Sequence, residues 1–170
     1  NLPWIIDSQA LRAALKTDTV YLLNDLEAAA YGVFTLENEE FYALNEGTMH
    51  YTGNKALIAA GTGLGQAILY DNGRHFHALP SEGGHADFAP RNELEIELLR
   101  HLLKRFTHVS YERVLSGPGL FNIYRFLKEG RGMAEPPLLA ERFAAGDDPA
   151  AVIATAALAK EAEICCAALD

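Results

Sequence analysis

The sequence "KALIAAGTGLGQAILYDNGRHFHALPSEGG", Lys55 to Gly84, carries the clearest structural signal in the chain. Two apolar runs, "ALIAA" and "QAILY", flank the glycine-rich "GTGLG", and "DNG" at Asp71–Gly73 is typical of a tight hairpin turn before "RHFHAL". Short apolar runs separated by turn residues indicate β-strands. The segment therefore predicts three consecutive antiparallel strands, a β-meander.

The residues before the meander indicate a helix, a strand and a second helix. "SQALRAAL" (Ser8 to Leu15) has a helical composition with Ser8 as its expected N-cap, and "TVYLLND" is typical of a buried strand that ends at Asn24-Asp25. "LEAAAYGVF" favours a helix immediately afterwards. A polar pair between the end of a strand and the start of a helix is a common position for a ligand site in α/β proteins.

The residues after the meander indicate helices. "NELEIELLRHLLKRF" (Asn92 to Phe106) begins at a capping Asn92, and "SGPGLFNIYRFLKEG" has Pro118 near its start and Gly130 after its expected end. "PPLLAERFAAG" is expected to close at Gly146, and one alanine-rich helical pattern continues from Asp148-Pro149 to the last residues without a stop signal. The expected apolar stripe of the first of these helices consists of Leu94, Leu98, Leu99, Leu102, Leu103 and Phe106. The unfinished last pattern predicts a piece of a longer protein.

The composition excludes several classes of function. The chain has 170 residues, 49% of them apolar, and a formal net charge of −9, so a proper core is expected. The negative charge and the lack of clustered Lys and Arg argue against nucleic-acid binding. No apolar window predicts a membrane span. Without a signal-peptide pattern, and with two adjacent cysteines (Cys165 and Cys166) in an apolar stretch, a reduced cytoplasmic protein is expected.

The glycine-rich turn is a candidate anion site. Gly61, Gly63 and Gly65 permit a tight turn whose amides, together with the Thr62 hydroxyl, can point at an anionic oxygen. The turn lacks the Gly-Lys-Ser/Thr of a P-loop and the strand-turn-helix context of a dinucleotide fingerprint. From these residues alone, a phosphate site and a hairpin without a ligand are equally compatible with the sequence.

Three carboxylates lie beside turns or element ends: Asp25, Glu82 and Glu112. Asp25 either caps the following helix or acts as a general base toward a substrate hydroxyl, with Asn24 supplying an orienting contact. Glu112, just before "SGPG", is either an exposed charge near a helix start or a ligand-binding group. If the three converge, they form a pocket for a sugar.

The segment "LPSEGGHADFAP" groups Glu82, His85 and Asp87 around two glycines. A zinc site needs more ligands, and no cysteine lies nearby. Ser81 and Ser116 lie in no nucleophile-elbow sequence, which argues against a Ser-His-Asp hydrolase. The remaining interpretation is a loop in which Glu82 and His85 hydrogen-bond to hydroxyl groups, with Asp87 in a structural role.

Taken together, the motifs of the chain resemble those of bacterial ATP-dependent glucokinases, members of the hexokinase/actin/Hsp70-like phosphotransferase superfamily. The motifs are, in order, "NLPWIIDSQAL", "LLNDLEAAAYG", "AAGTGLG", "LPSEGGHADFAP" and "ERVLSGPGLFNIYR", and they extend over nearly the whole chain. The residues after His85, "ADFAPRNELE", contain no cysteine. The resemblance is therefore to the zinc-free glucokinases and not to the related repressor/kinase group, which has a Cys-rich zinc motif there.

The resemblance implies an α/β chain with the ribonuclease H-like fold of actin-like ATPases and hexokinases. Residues 1–26 would form the C-terminal part of a truncated small domain, and residues 27–170 a large domain that is incomplete at its C-terminus. The family's first Asp-x-Gly-Gly-Thr phosphate loop and its terminal adenosine loop are not in the sequence. The chain alone is therefore expected to be incompetent as a kinase.

The resemblance also implies roles for individual residues. Asp25 would be the catalytic base toward the 6-hydroxyl of glucose. The residues that would bind glucose are Asn24, Asp25, Glu82, His85 and Glu112. The residues that would bind the phosphates of ATP are Gly61, Thr62 and Gly63. Mg²⁺ would accompany ATP with its ligands largely outside this chain, and no metal site is expected within it.

The implied activity is transfer of the γ-phosphoryl group of ATP to the 6-hydroxyl of glucose, at the entry to glycolysis. The implied setting is the cytoplasm, with a homodimer as the assembly and with no nucleic-acid or membrane partner. Two alternatives remain open. One is a non-catalytic glucose-binding or regulatory module, and the other is a kinase for another hexose or another phosphoryl donor.

Overall fold

The computed structural model describes residues 5–45, 47 and 52–170. Residues 1–4, which belong to the predicted small-domain portion and to the first quoted motif, lie outside the described residues. The elements are, in chain order, α1 (Ser8–Leu15), α2 (Asp25–Gly32), β1 (Lys55–Ala60), β2 (Leu64–Asp71), β3 (Phe76–Ser81), α3 (Glu93–Leu102), α4 (Gly117–Arg131), α5 (Pro137–Ala144), α6 (Pro149–Leu158) and α7 (Glu163–Leu169). Short 3-10 turns cover Val33–Thr35, Asn38–Glu40, Gly83–His85 and Tyr111–Arg113.

The predicted β-meander is confirmed. β1 pairs antiparallel with β2, and β2 pairs antiparallel with β3. In the second hairpin, Gly73 has a φ of +84°, a conformation that residues with a side chain rarely adopt. The first hairpin turn, Gly61 to Gly63, and the end of β3 lie at the same end of the sheet, because Gln66 near the start of β2 is opposite Ser81. The two glycine-rich segments are therefore neighbours.

One face of the sheet is covered by α2. The fully buried Ala30 packs against Ala67, Leu69 and Ala78 in a small apolar cluster. The Tyr31 hydroxyl accepts a hydrogen bond from the Ala78 N–H at 3.2 Å. This packing fixes the start of α2 beside the glycine-rich turn.

The opposite face of the sheet is exposed. Paired strand residues share a face, so the register places Ile68 of β2 beside Leu79 of β3. The exposed large apolar residues of this face, which we call the open sheet face, are Ile58, Ile68, Tyr70 and Leu79. Within the part of the chain that the structure describes, no element packs on them.

The larger core lies among the helices, where α4 packs against α6 and α7. Its most completely buried large side chains are Tyr124, Leu102, Ile153, Ile164, Val152 and Cys165. Ala156 and Ala157 of α6 are buried, so this alanine-rich helix packs closely against its neighbours. The longest helix, α4, has 15 residues, and none of the described helices has the length and apolarity that a membrane crossing requires.

Two predictions for the first part of the chain are wrong. The N-cap of α1 is Asp7, whose carboxylate accepts from the Gln9 N–H at 2.8 Å, so Ser8 is the first helical residue. "TVYLLND" is not a strand, and Tyr21 within it is 82% exposed. A strand forms only when its backbone groups pair with a neighbouring strand, and no described segment offers that pairing.

Three predictions for the helical part need correction. α3 ends at Leu102 instead of Phe106, and Leu94 and Leu103 of the expected stripe are exposed. Gly130 lies inside α4, whose C-cap is Gly132 with a φ of +71°. The last helical pattern is two helices, α6 and α7, because the chain turns at Lys160, which has a φ of +56°.

Candidate functional site

All the predicted site residues line one cleft of about 410 Å³ at the end of the sheet that carries the glycine-rich turn. They come from the start of α2, the β1–β2 turn, the end of β3 and the 3-10 turn before α4. The predicted residues in its wall are Asn24, Asp25, Gly61, Thr62, Gly63, Glu82, His85 and Glu112. The fold thus brings together segments that are far apart in the sequence.

The start of α2 presents Asn24 and Asp25 to the cleft. Asn24 is the N-cap, because its Oδ1 accepts from the Glu27 N–H at 2.6 Å while the Glu27 carboxylate accepts from the Asn24 N–H at 3.0 Å. This capping box corrects the interpretation in which Asp25 is the cap. Asp25 is an exposed residue of the first turn, and its Oδ1 accepts from the Leu26 N–H at 2.9 Å, which leaves Oδ2 available to a ligand.

The glycine-rich turn offers backbone amides to the cleft. The Gly61 N–H donates to the Gly63 carbonyl at 2.9 Å, which closes the turn. The N–H groups of Thr62 and Gly63 donate to no protein acceptor among the described residues. Amides of this kind are suited to an anionic oxygen.

The "EGGH" segment forms a 3-10 turn over Gly83–His85, directly after β3. A side chain at Gly84 would collide with the Leu64 carbonyl oxygen, so the close approach of this turn to β2 requires glycine. The Nε2 atom of His85 lies 3.7 Å from Oε2 of Glu82, and both side chains are largely exposed. The pair is therefore presented to solvent at the mouth of the cleft.

Glu112 lies in the 3-10 turn Tyr111–Arg113 and contacts the glycine-rich turn directly. Its Oε2 accepts from the Leu64 N–H at 3.0 Å. The interpretation of Glu112 as only an exposed charge is therefore incomplete. The sequence contains no signal for this contact, because it joins residues 48 positions apart.

Asp87 lies outside the cleft and joins its own loop to the loop that contains His108 and Ser110. Its Oδ1 lies 2.6 Å from Nε2 of His108, and its backbone forms a β-bridge with Ser110. The Phe88 N–H also donates to the Val109 carbonyl at 2.9 Å. This geometry agrees with a structural role for Asp87, and it adds His108, which the sequence patterns did not indicate.

The cleft is acidic. Its wall contains the carboxylates of Asp25, Glu82 and Glu112, and no Lys or Arg of the described residues lines it. No group of three or more His, Cys, Asp or Glu side chains in residues 5–45, 47 and 52–170 is arranged to hold a metal ion. The described residues therefore do not fit a complete Mg²⁺ site.

A second cavity, of about 470 Å³, adjoins the turn on its other side. Gly61 and Thr62 line both cavities. The remaining wall of the second cavity, at the starts of α4 and α6, is formed by Gly117, Pro118, Phe121, Asp148, Pro149 and Ala150. This wall is mainly apolar.

The chain has an α/β fold of the kind found in sugar kinases, and solved structures share it. The structure of a glucokinase from an Antarctic psychrotroph superposes with a TM-score of 0.78 at 29% identity, over 96% of this chain and 48% of that one. Leishmania braziliensis glucokinase gives a TM-score of 0.60 at 25% identity, over 86% of this chain and 42% of that one.

The sequence comparisons define the family. The family model described as Glucokinase matches residues 1–170, and the chain belongs to the glucokinase family. A glucokinase of Nostoc punctiforme is 41% identical over 94% of this chain, and one of Trichormus variabilis is 43% identical over 83% of it. These alignments cover 50% and 42% of the two relatives, so the chain spans about half the length of the curated relatives it matches.

Proposed function

We propose that this chain contributes the glucose site and the donor-phosphate turn of an ATP-dependent glucokinase, which transfers the γ-phosphoryl group of ATP to the 6-hydroxyl of glucose. The observation that carries the proposal is the single cleft in which three carboxylates, a histidine and a glycine-rich turn meet. Membership of the glucokinase family supports the assignment.

In this proposal Asp25 is the catalytic base. The 6-hydroxyl oxygen attacks the γ-phosphorus, the bond from this phosphorus to the bridging oxygen of ADP breaks, and the hydroxyl proton passes to the Asp25 carboxylate. Asp25 is suited to this role because it is exposed at the cleft and is not the N-cap of α2.

Glucose is held by the hydroxyl-binding groups around Asp25. The carboxylates of Glu82 and Glu112 accept hydrogen bonds from sugar hydroxyls, and His85 donates or accepts according to its tautomer. Asn24 uses its oxygen for the helix cap, so its amide nitrogen is the group that remains for the sugar. An analogue that lacks one hydroxyl leaves a partner unpaired, and its transfer is therefore slower.

ATP places its phosphates at the glycine-rich turn, where the N–H groups of Thr62 and Gly63 are available. The rest of the nucleotide extends into the second cavity, whose apolar wall of Pro118, Phe121 and Pro149 suits a purine base. Mg²⁺ would shield the phosphate charge when bound, and its protein ligands would come from residues beyond those of this cleft.

The proposal has a part that concerns the whole protein. We assign the ribonuclease H-like fold to it, with residues 1–26 in a small domain and residues 27–170 in a large one. We also assign it to the cytoplasm as a homodimer that binds neither nucleic acid nor membrane.

The test is a coupled assay of glucose-dependent ADP formation by the full-length protein. We expect Asp25→Asn to lower kcat by ~10²–10⁴-fold, the usual contribution of general base catalysis, while glucose affinity is largely retained. Asp7→Asn is the matched control: Asn caps a helix about as well as Asp, and Asp7 does not line the cleft.

Near-full turnover by the Asp25→Asn variant would show that the base is assigned wrongly. Glucose binding without turnover in the unaltered full-length protein would favour the non-catalytic module. Higher kcat/KM for another hexose, or for polyphosphate, would favour the second alternative.

A further inference from the structure

We propose that Glu112 is a positioning residue that couples the glucose site to the donor-phosphate turn, so that each substrate tightens the binding of the other. The inference rests on the proposed function, in which Glu112 contacts glucose and the turn contacts phosphate. It adds that one carboxylate belongs to both sites.

The first observation is the contact between Glu112 and the end of the turn. Oε2 of Glu112 accepts from the Leu64 N–H at 3.0 Å. A Cβ atom at Gly63 would lie 2.7 Å from the same oxygen, so the carboxylate can lie against the backbone only because residue 63 is glycine. A charged acceptor makes this hydrogen bond stronger than a neutral one.

The second observation is that the same segment also holds the beginning of the turn. The Gly117 N–H donates to the Gly61 carbonyl at 2.8 Å. The buried Ser116 hydroxyl donates to the Glu112 carbonyl at 2.7 Å and accepts from the Gly119 N–H at 3.0 Å. Both ends of the glycine-rich turn are therefore hydrogen-bonded to the segment that carries Glu112.

The third observation concerns the other carboxylate oxygen. Oε1 of Glu112 receives no protein hydrogen bond from the described residues, and Glu112 lines the cleft. A sugar hydroxyl that donates to Oε1 restricts the carboxylate and, through Oε2, the Leu64 N–H. Because linkage is reciprocal, a phosphate that orders the turn must increase sugar affinity by the same factor.

Glu82 provides the contrast within the same cleft. Its side chain is 90% exposed, and its close partner is His85 at 3.7 Å. It has no hydrogen bond to the glycine-rich turn in the part of the chain that the structure describes. Glu82 can therefore bind glucose without transmitting that binding to the phosphate turn.

The experiment is a calorimetric titration of the full-length protein with glucose, in the absence and presence of a saturating ATP analogue with a non-hydrolysable β,γ-imido linkage. The readout is the ratio of the two glucose dissociation constants. We expect the unaltered protein to show a ratio of about fivefold or more, which is within the usual range for coupled sites. The Glu82→Gln control weakens glucose binding and keeps this ratio.

Two variants reduce the coupling by different routes. Glu112→Gln removes the negative charge and one of the two acceptor oxygens, so its hydrogen bonds to the Leu64 N–H and to the sugar are weaker than those of the carboxylate. In Gly63→Ala, the added methyl group displaces the Glu112 carboxylate from the glycine-rich turn. Residue 112 itself is still a glutamate in this variant. We expect a ratio near one in Gly63→Ala and a ratio below that of the unaltered protein in Glu112→Gln, and Gly63→Ala decides alone if Glu112→Gln does not fold.

The outcomes separate this inference from the proposed function. The coupling role is overturned if a folded Glu112→Gln or Gly63→Ala variant keeps the ratio of the unaltered protein. It is also overturned if Glu82→Gln lowers the ratio as much as these two variants do. If the unaltered protein binds glucose with a ratio of one, the coupling is wrong and the glucose site stands. If the unaltered protein binds no glucose at all, both the coupling inference and the proposed function are wrong.

Discussion

At the scale of single residues, the cleft is built on glycines that leave no room for a side chain. A Cβ atom at Gly65 would lie 2.6 Å from Cδ2 of Leu26, the residue that follows Asp25. A Cβ atom at Gly84 would meet the Leu64 carbonyl oxygen, which belongs to a strand and cannot move aside easily. These close approaches set the distances between α2, the sheet and the "EGGH" turn.

Gly84→Ala is expected to destabilise the protein by ~1–3 kcal/mol, as overpacking generally does, and to weaken the proposed binding of glucose. The matched control is Gly32→Ala, at the end of α2. Gly32 has a φ of −62°, and a Cβ atom there would meet no other atom within 4 Å. Alanine at this position should therefore leave the free energy of unfolding unchanged or raise it by ~0.5–1 kcal/mol. Urea unfolding measures the free energy of unfolding of both variants. Equal stabilities of Gly84→Ala and Gly32→Ala would contradict the packing argument.

At the scale of elements, α3 and α4 enclose a histidine between them. The His101 ring lies edge-on to Phe126, with centroids 5.6 Å apart, and its Nε2 is 3.7 Å from the Glu129 carboxylate. That nitrogen is buried and has no hydrogen-bond partner in the described residues. Burial lowers the pKa of His101 below its ordinary value of 6.5, although the Glu129 carboxylate opposes this shift.

The lowered pKa predicts a specific loss of stability in acid. As the pH falls through 6.5, the unfolded chain gains a proton at His101 that the folded chain does not yet accept, so the free energy of unfolding decreases. The loss is complete once the pH is below the folded-state pKa. His101→Phe, measured by urea unfolding from pH 7 to pH 5, should show a smaller decrease than the unaltered protein. Identical decreases would contradict this account.

The sequence predicted the elements whose signals are local. The β-meander and the starts of α4 and α6 follow from turn residues, prolines and caps that lie within a few positions of each other. "TVYLLND" was predicted wrongly because a strand depends on a partner elsewhere in the chain. The break between α6 and α7 was missed because Lys160 adopts a left-handed conformation that residues of its type seldom take.

The same distinction applies to the candidate site. Its residue types and flanking turns were visible in the sequence, and the resemblance supplied their roles as predictions. The contact from Glu112 to Leu64 and the pairing of Asp87 with His108 were not visible, because they depend on how distant segments pack. Spacing along the chain contains no information on such contacts.

At the scale of the whole molecule, the open sheet face predicts self-association of the 170-residue chain. Contiguous exposed apolar residues on a sheet favour contact with another apolar surface. In the Ile58→Thr/Ile68→Thr double variant we expect the apparent dissociation constant of self-association to rise by about tenfold or more. A tenfold change is ~1.4 kcal/mol, less than the ~1.5–3 kcal/mol contributed by burying one isoleucine.

Sedimentation velocity over a range of protein concentrations measures this effect. Leu138→Thr is the matched control, because Leu138 of α5 is 63% exposed and Ile58 is 62% exposed, but Leu138 lies away from the sheet. Threonine keeps the β-propensity of the strands, so the sheet itself should remain intact. A similar change in both variants would show that the open sheet face has no special role.

The closely packed glycines of the cleft determine which of its residues can be changed by protein engineering. Glu82 and His85 project from the cleft with 90% and 61% of their side chains exposed, so they can be exchanged without repacking a core. Gly84 tolerates no such exchange, because a Cβ atom there would meet the Leu64 backbone. A library aimed at new acceptors for the proposed kinase should therefore randomise Glu82 and His85 and leave Gly84 unchanged, because only the exposed pair can vary without loss of the folded structure.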